Sequence, residues 1–222
     1  MSFMSDIIDG WYYSLVDTPS PLTQEEKEKN VDKFRAYFEG YMTLESMAGI
    51  LGNMQRESYL NPGQGELNKD FDSRYGYGLI QWTPGSVITN WSDERGLTWY
   101  SGQTQCYRIK CEGEGIEGAG GTWLPTSDYP YSWAQFCSLS DYEEATKAYL
   151  FERERAGVSA LDLRLQYARE WYEYLTESPG PTPPPDPPDP PDPPDPPVPP
   201  HDPIDKKLLI ILAKKSIDRR LP

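Results

Sequence analysis

The sequence predicts a mainly α, α+β protein: a helical body with a small β-hairpin and long loops, followed by a polyproline spacer and a short C-terminal helix. Three observations carry this prediction. Apolar residues recur at helical spacing in four stretches, two before residue 60 and two after residue 140. Between residues 64 and 138, glycines, aromatics and short polar runs replace that spacing. Most of the 23 prolines in the 222-residue chain lie after residue 178. Composition therefore divides the chain into a body at 1–177, a proline-rich linker at 178–203 and a basic amphipathic segment at 204–222. The body is rich in Trp and Tyr and long enough to bury a core unaided.

Thr23 with Glu26 forms a capping-box pattern opening a helix through Val31, Phe34, Phe38 and Tyr41. Thr43 can cap a second helix, with Met47, Ile50 or Leu51, and Met54 on one face until Asn61-Pro62-Gly63 stops it. The run "SRYGYGLIQW" reads as strand and turn, so the hairpin is expected between 64 and 138. Ser140 with Glu143 repeats the capping-box pattern ahead of Tyr142, Ala145, Ala148, Tyr149 and Glu152. Leu161, Leu165, Ala168, Tyr172 and Leu175 give the last body helix its core stripe.

In "PGPTPPPDPPDPPDPPDPPVPPHDP" successive prolines remove backbone donors and fix φ, leaving polyproline II as the natural state. At ~3.1 Å per residue this spacer could reach ~75 Å, with Asp186, Asp189, Asp192 and Asp195 along one ridge. Beyond it, Leu208, Ile211 and Leu212 form one helical face, flanked by Lys206, Lys207, Lys214, Lys215, Arg219 and Arg220. Such a segment is suited to docking, on another protein in preference to a membrane surface.

A net charge of -14 argues against nucleic acid as a partner, since phosphate binding needs a basic footprint. No window is apolar enough to span a bilayer, and "MSFMSDIIDGW" lacks the basic-then-apolar pattern of a signal peptide. Cys106, Cys111 and Cys137 are an odd set, read as reduced or structural thiols. The single histidine, His201, lies in the proline-rich stretch, so neither a metal nor another cofactor is suggested.

Extending the series Met47, Ile50, Met54 by three residues lands on Glu57, so its carboxyl should face the interior or an adjacent cleft. Apolar surroundings and the negative end of the helix dipole would keep it protonated, as a general acid requires. Trp82, Trp91, Trp99, Tyr100, Trp123 and Trp133 offer flat rings for sugar faces in the irregular region, with Trp82 best placed because it follows Gln81. The glycines around Tyr77 could bring backbone close to a polymer or shape a tight turn.

"ESYLNP", followed some twenty residues later by "GYGLIQWTP", resembles the lysozyme-like superfamily of peptidoglycan glycosidases. The blocks "AGILGNMQRES", "GYGLIQWT" and "YLFERERAG" resemble the phage tail lysozyme family more closely, over residues 25 to 175. The resemblance implies an α+β lysozyme-like catalytic body with Glu57 as acid, Ser58 as its usual neighbour and Gln81 lining a saccharide cleft. Tyr77 and Trp82 join Ser58 and Gln81 as candidate substrate contacts. By analogy with goose-type lysozymes, Asp72 is the candidate water-activating base, with Asp70 and Glu66 as fallbacks; the second aspartate of those enzymes is replaced by Thr83. The implied activity is a lysozyme-type glycoside hydrolase (EC 3.2.1.17 type), cutting the β-1,4 bond between N-acetylmuramic acid and N-acetylglucosamine in peptidoglycan. The resemblance further implies a virion component at the tail tip or knob that opens the host wall during genome entry. Residues 204–222 would then bind other tail proteins. The alternatives are a lytic transglycosylase, a soluble endolysin or a non-catalytic glycan-binding tail protein.

Overall fold

The computed structural model describes residues 5–120, 122–154 and 160–178. All belong to the first of the two units into which the chain divides, residues 1–183. The expected spacer from residue 179 onward and the docking segment at 204–222 lie outside the described residues.

A two-stranded antiparallel hairpin opens the fold, β1 (Asp6–Ile8) pairing with β2 (Trp11–Tyr13) so that Ile8 faces Trp11. Asp9 and Gly10 make the turn at φ 53° and 78°. Two positive φ values match the right-handed twist of the strands, and Asp-Gly supplies them at little cost. The expected hairpin thus lies before the helices. Between 64 and 82 there are only isolated bridges, Gly65 to Tyr77 and Tyr77 to Trp82.

Helix α1 (Gln24–Phe38) begins with both halves of the Thr23/Glu26 capping box and buries Asn30, Val31, Phe34 and Phe38. The Asn30 side chain binds the hairpin, accepting from Tyr12 N and donating to Tyr12 O, both at 2.8 Å. Helix α2 (Leu44–Ser58), capped by Thr43, has eleven of its fifteen residues buried, which makes it the central helix of the body. It packs chiefly against α6 (Tyr142–Tyr149) and α7 (Leu161–Glu177). Gly49 and Gly52 permit this: an added Cβ would lie 2.7 Å from Ala145 C and 2.6 Å from Arg164 O, respectively.

The region expected to be loops also contains α3 (Ser86–Asp93), α4 (Gly102–Glu114) and the single turn α5 (Trp133–Phe136). Helix α6 is capped by Asp141, not Ser140, because Asp141 Oδ1 accepts from the backbone N–H groups of Glu143 and Glu144 (2.8 and 3.2 Å). It continues into a wider π-helical stretch, Leu150–Glu154. Helix α7 buries Arg164, Ala168, Trp171 and Leu175; Leu165 and Tyr172 are only partly buried. The three cysteines are free and buried, and burial pushes the Cys137 thiol up to about 12. No helix among the described residues is long and apolar enough to cross a membrane.

Candidate active site

Glu57 occupies the last turn of α2, and the chain reverses immediately afterwards. Tyr59 and Leu60 both take left-handed backbone conformations (φ 58° and 60°), the usual way to end a helix. Asn61 then accepts from Ser14 N at 2.9 Å and donates to Ser14 O at 2.8 Å, anchoring the turn beside the hairpin. The exit loop is held against the segment around Tyr77 by Glu66 N donating to Gly76 O (2.8 Å) and Gly78 N donating to Gln64 O (2.7 Å). Buried Gln105 of α4 braces the same layer, accepting from Leu79 N and donating to Pro62 O, each at 2.7 Å.

These constraints leave a groove of about 420 Å³ lined by Arg56, Glu57, Gly65, Glu66, Leu67, Gln81 and Thr83. The Glu57 side chain is 20% exposed and its Oε1 accepts from the Nη2 of Arg164, a residue of α7 that is itself buried. Among the described residues Oε2 has no hydrogen-bond partner. Where apolar neighbours alone were expected around this carboxyl, a guanidinium holds one oxygen while the side chain lines the groove. Gln81, at φ 48°, donates through its Nε2 to Gln64 O (3.2 Å) and Gly78 O (3.0 Å), which fixes it in the groove wall.

Of the three carboxylates considered as Glu57's partner, Glu66 alone lines this groove. Its Oε2 accepts from Gly76 N at 3.0 Å, so the side chain is oriented by backbone. Asp72 instead pairs with Arg74, whose Nε lies 3.0 and 2.8 Å from its two oxygens. Those hydrogen bonds hold the Asp72 carboxyl below its usual range. Asp70 is exposed, and its backbone N–H donates to Asp17.

Other expected contacts are structural. Ser58 is buried, its hydroxyl donating to Met54 O (3.1 Å) and Leu79 O (2.9 Å), which joins the helix end to the following loop. Tyr77 is buried, stacks on Trp99 and donates its hydroxyl to Phe71 O. Trp82 is 3% exposed and its Nε1 donates to Glu112 at 2.8 Å. No tryptophan lines the groove, because these rings are used in the core. Sequence reasoning missed Arg164, which falls at a core position of α7; the spacing Leu161, Arg164, Ala168, Trp171, Leu175 would have revealed it.

Comparison with known proteins gives a family match described as phage tail lysozyme over residues 28–175. Morphogenesis protein 1 of Bacillus phage B103 is 30% identical over 135 residues, covering 60% of this chain and 35% of that protein. The chain thus spans about a third of the length of this relative.

Proposed function

The chain belongs to the phage tail lysozyme family, and from that premise we propose that it is a muramidase-like hydrolase of bacterial peptidoglycan. The observation that carries this reading is Glu57 at the end of α2, in a groove that Glu66 and Gln81 also line. In the proposed reaction Glu57 donates a proton to the oxygen linking N-acetylmuramic acid to N-acetylglucosamine. The C–O bond breaks as positive charge develops on the sugar ring. Glu66 takes a proton from the incoming water, whose oxygen becomes the new hydroxyl. Glu66 replaces Asp72 in this role because Asp72 is not in the groove lining and is engaged by Arg74.

The proposed setting is a virion tail, where the enzyme opens the wall locally during genome entry. Attachment suits a chain of net charge -14, since wall polymers are anionic and free diffusion onto them is electrostatically opposed. Residues 178–203 act in this proposal as tether and residues 204–222 as the segment bound by other tail proteins.

Digestion of purified peptidoglycan tests the chemistry. Glu57→Gln should lower turnover about 10²- to 10⁴-fold, the usual contribution of a positioned acid or base. Mass spectrometry of the wild-type products should show reducing ends. Equal activity of the two proteins would remove Glu57 from the mechanism, and 1,6-anhydro ends would establish a lytic transglycosylase instead.

A further inference from the structure

Glu57 is held from behind by a chain of buried polar groups reaching across three helices. Arg164 is 1% exposed and Asn53 is fully buried. Arg164 Nη1 donates to Asn53 Oδ1 at 2.9 Å, while Nη2 of the same guanidinium donates to Glu57 Oε1. Asn53 cannot turn to accommodate other partners, since its Nδ2 donates to Gly49 O at 2.8 Å and to Thr146 O at 3.2 Å. Those two bonds determine which end of the amide presents its oxygen to Arg164.

The backbone is arranged for the same contact. Gly49, Gly52, Asn53 and Glu57 recur at intervals of three, one and four residues along one face of α2. At Gly52 a side chain would meet both Arg164 O and Ala168 Cβ, at 2.6 and 2.8 Å. Absence of that side chain lets α7 approach α2 closely enough for the guanidinium to bridge Asn53 and Glu57.

We infer that Arg164, oriented by Asn53, is a positioning residue for Glu57, fixing its carboxyl so that Oε2 is the oxygen presented to the bond being cleaved. This inference rests on the hydrolase reading above. A glutamate side chain has three torsions to fix, and a planar guanidinium that also bonds a second, rigid acceptor restricts them more than a point charge would. Lysine could neutralise the site but could not make both bonds in one plane.

The test uses the full chain and soluble peptidoglycan fragments, with kcat and KM measured separately and folding checked by amide NMR. Arg164→Met should lose about 100-fold in kcat, the scale expected of a misplacement of roughly 1 Å, with KM within about twofold. Arg164→Lys should recover only part of that loss. A kcat within about threefold of wild type in Arg164→Met, full recovery in Arg164→Lys, or a loss confined to KM would overturn the inference. Should Arg164→Met fail to fold, Asn53→Ala provides the reading: kcat should fall about tenfold, and an unchanged kcat would overturn the inference. Failure of the underlying reading is distinguishable. It would appear as an active Glu57→Gln, whereas failure of this inference alone would combine an inactive Glu57→Gln with a fully active Arg164→Met.

Discussion

Glu112 and Glu57 both meet arginines, and their surroundings could hardly differ more. Glu112 in α4 is 1% exposed and both oxygens are occupied. Oε1 accepts from Trp82 Nε1 and Arg108 Nε, each at 2.8 Å. Oε2 accepts from Arg153 Nε (3.0 Å), Arg153 Nη2 (2.7 Å) and Thr122 Oγ1 (3.2 Å). Glu57 engages Arg164 through one oxygen and lines a groove. A carboxylate saturated with donors can only brace the fold, whereas one whose second oxygen accepts no hydrogen bond among the described residues, beside open space, can exchange a proton with a visitor.

The sharpest way to break this contrast is to neutralise each acid in turn. Glu57→Gln should forfeit the about 10²- to 10⁴-fold of turnover already predicted while retaining an oxygen for Arg164, so its denaturation midpoint should move little. Glu112→Gln should do the reverse. Leaving buried Arg108 without its carboxylate should cost about 3–5 kcal/mol in urea denaturation, with turnover per folded molecule preserved. Stability loss at Glu57 with turnover loss at Glu112 would invert the assignment.

A second contrast separates Glu66 from Asp72. Glu66→Gln should reduce kcat about 100-fold, the lower end for a positioned base, while Asp72→Asn should stay within about threefold of wild type. The opposite ranking would restore the base suggested by the goose-type pattern.

The smallest effect concerns Glu152, a third kind of carboxyl. It is buried, its Oε1 accepts from Tyr131 N at 3.3 Å, and burial raises its pKa from 4.5 to about 7 against the opposing backbone hydrogen bonds. Between those two values the folded protein keeps a proton that the unfolded chain has released. Its stabilising contribution is therefore complete below pH 4.5 and is lost as pH rises through about 7. Glu152→Gln should flatten that slope, narrowing the Tm difference between about pH 5 and about pH 8 by a few degrees.

What could be read from the sequence follows from where the buried positions are apolar. Helices α1 and α2 were legible because Val31, Phe34, Phe38 and Met47, Ile50, Met54 mark their inner faces. Helix α4 was not, because Gln105, Arg108 and Glu112 are buried in polar networks, and with buried Thr104 they erase the hydrophobic period. Its Ser101 cap and left-handed Gly115 were the remaining signals. The hairpin, expected between 64 and 138, lies at 6–13, where Asp9-Gly10 between short apolar runs was its unread signal. At the site, helical spacing pointed Glu57 toward a cleft, and motif resemblance singled out Gln81. Glu66 entered the sequence reading only as a fallback to Asp72; its place in the groove, like the contact of Arg164 with Glu57, required the folded chain, since a loop pairing and a helix packed far along the sequence bring them there.

The two glycines of α2 leave no slack on its inner face: one methyl group at Gly52 would collide with the backbone of α7. The Glu57 end of α2 is consequently constrained on its α7 side and permissive on its groove side. In the proposed hydrolase, adaptation to a different wall polymer would have to be written into Leu67 and Thr83, exposed groove residues that can change without disturbing the helices that hold Glu57.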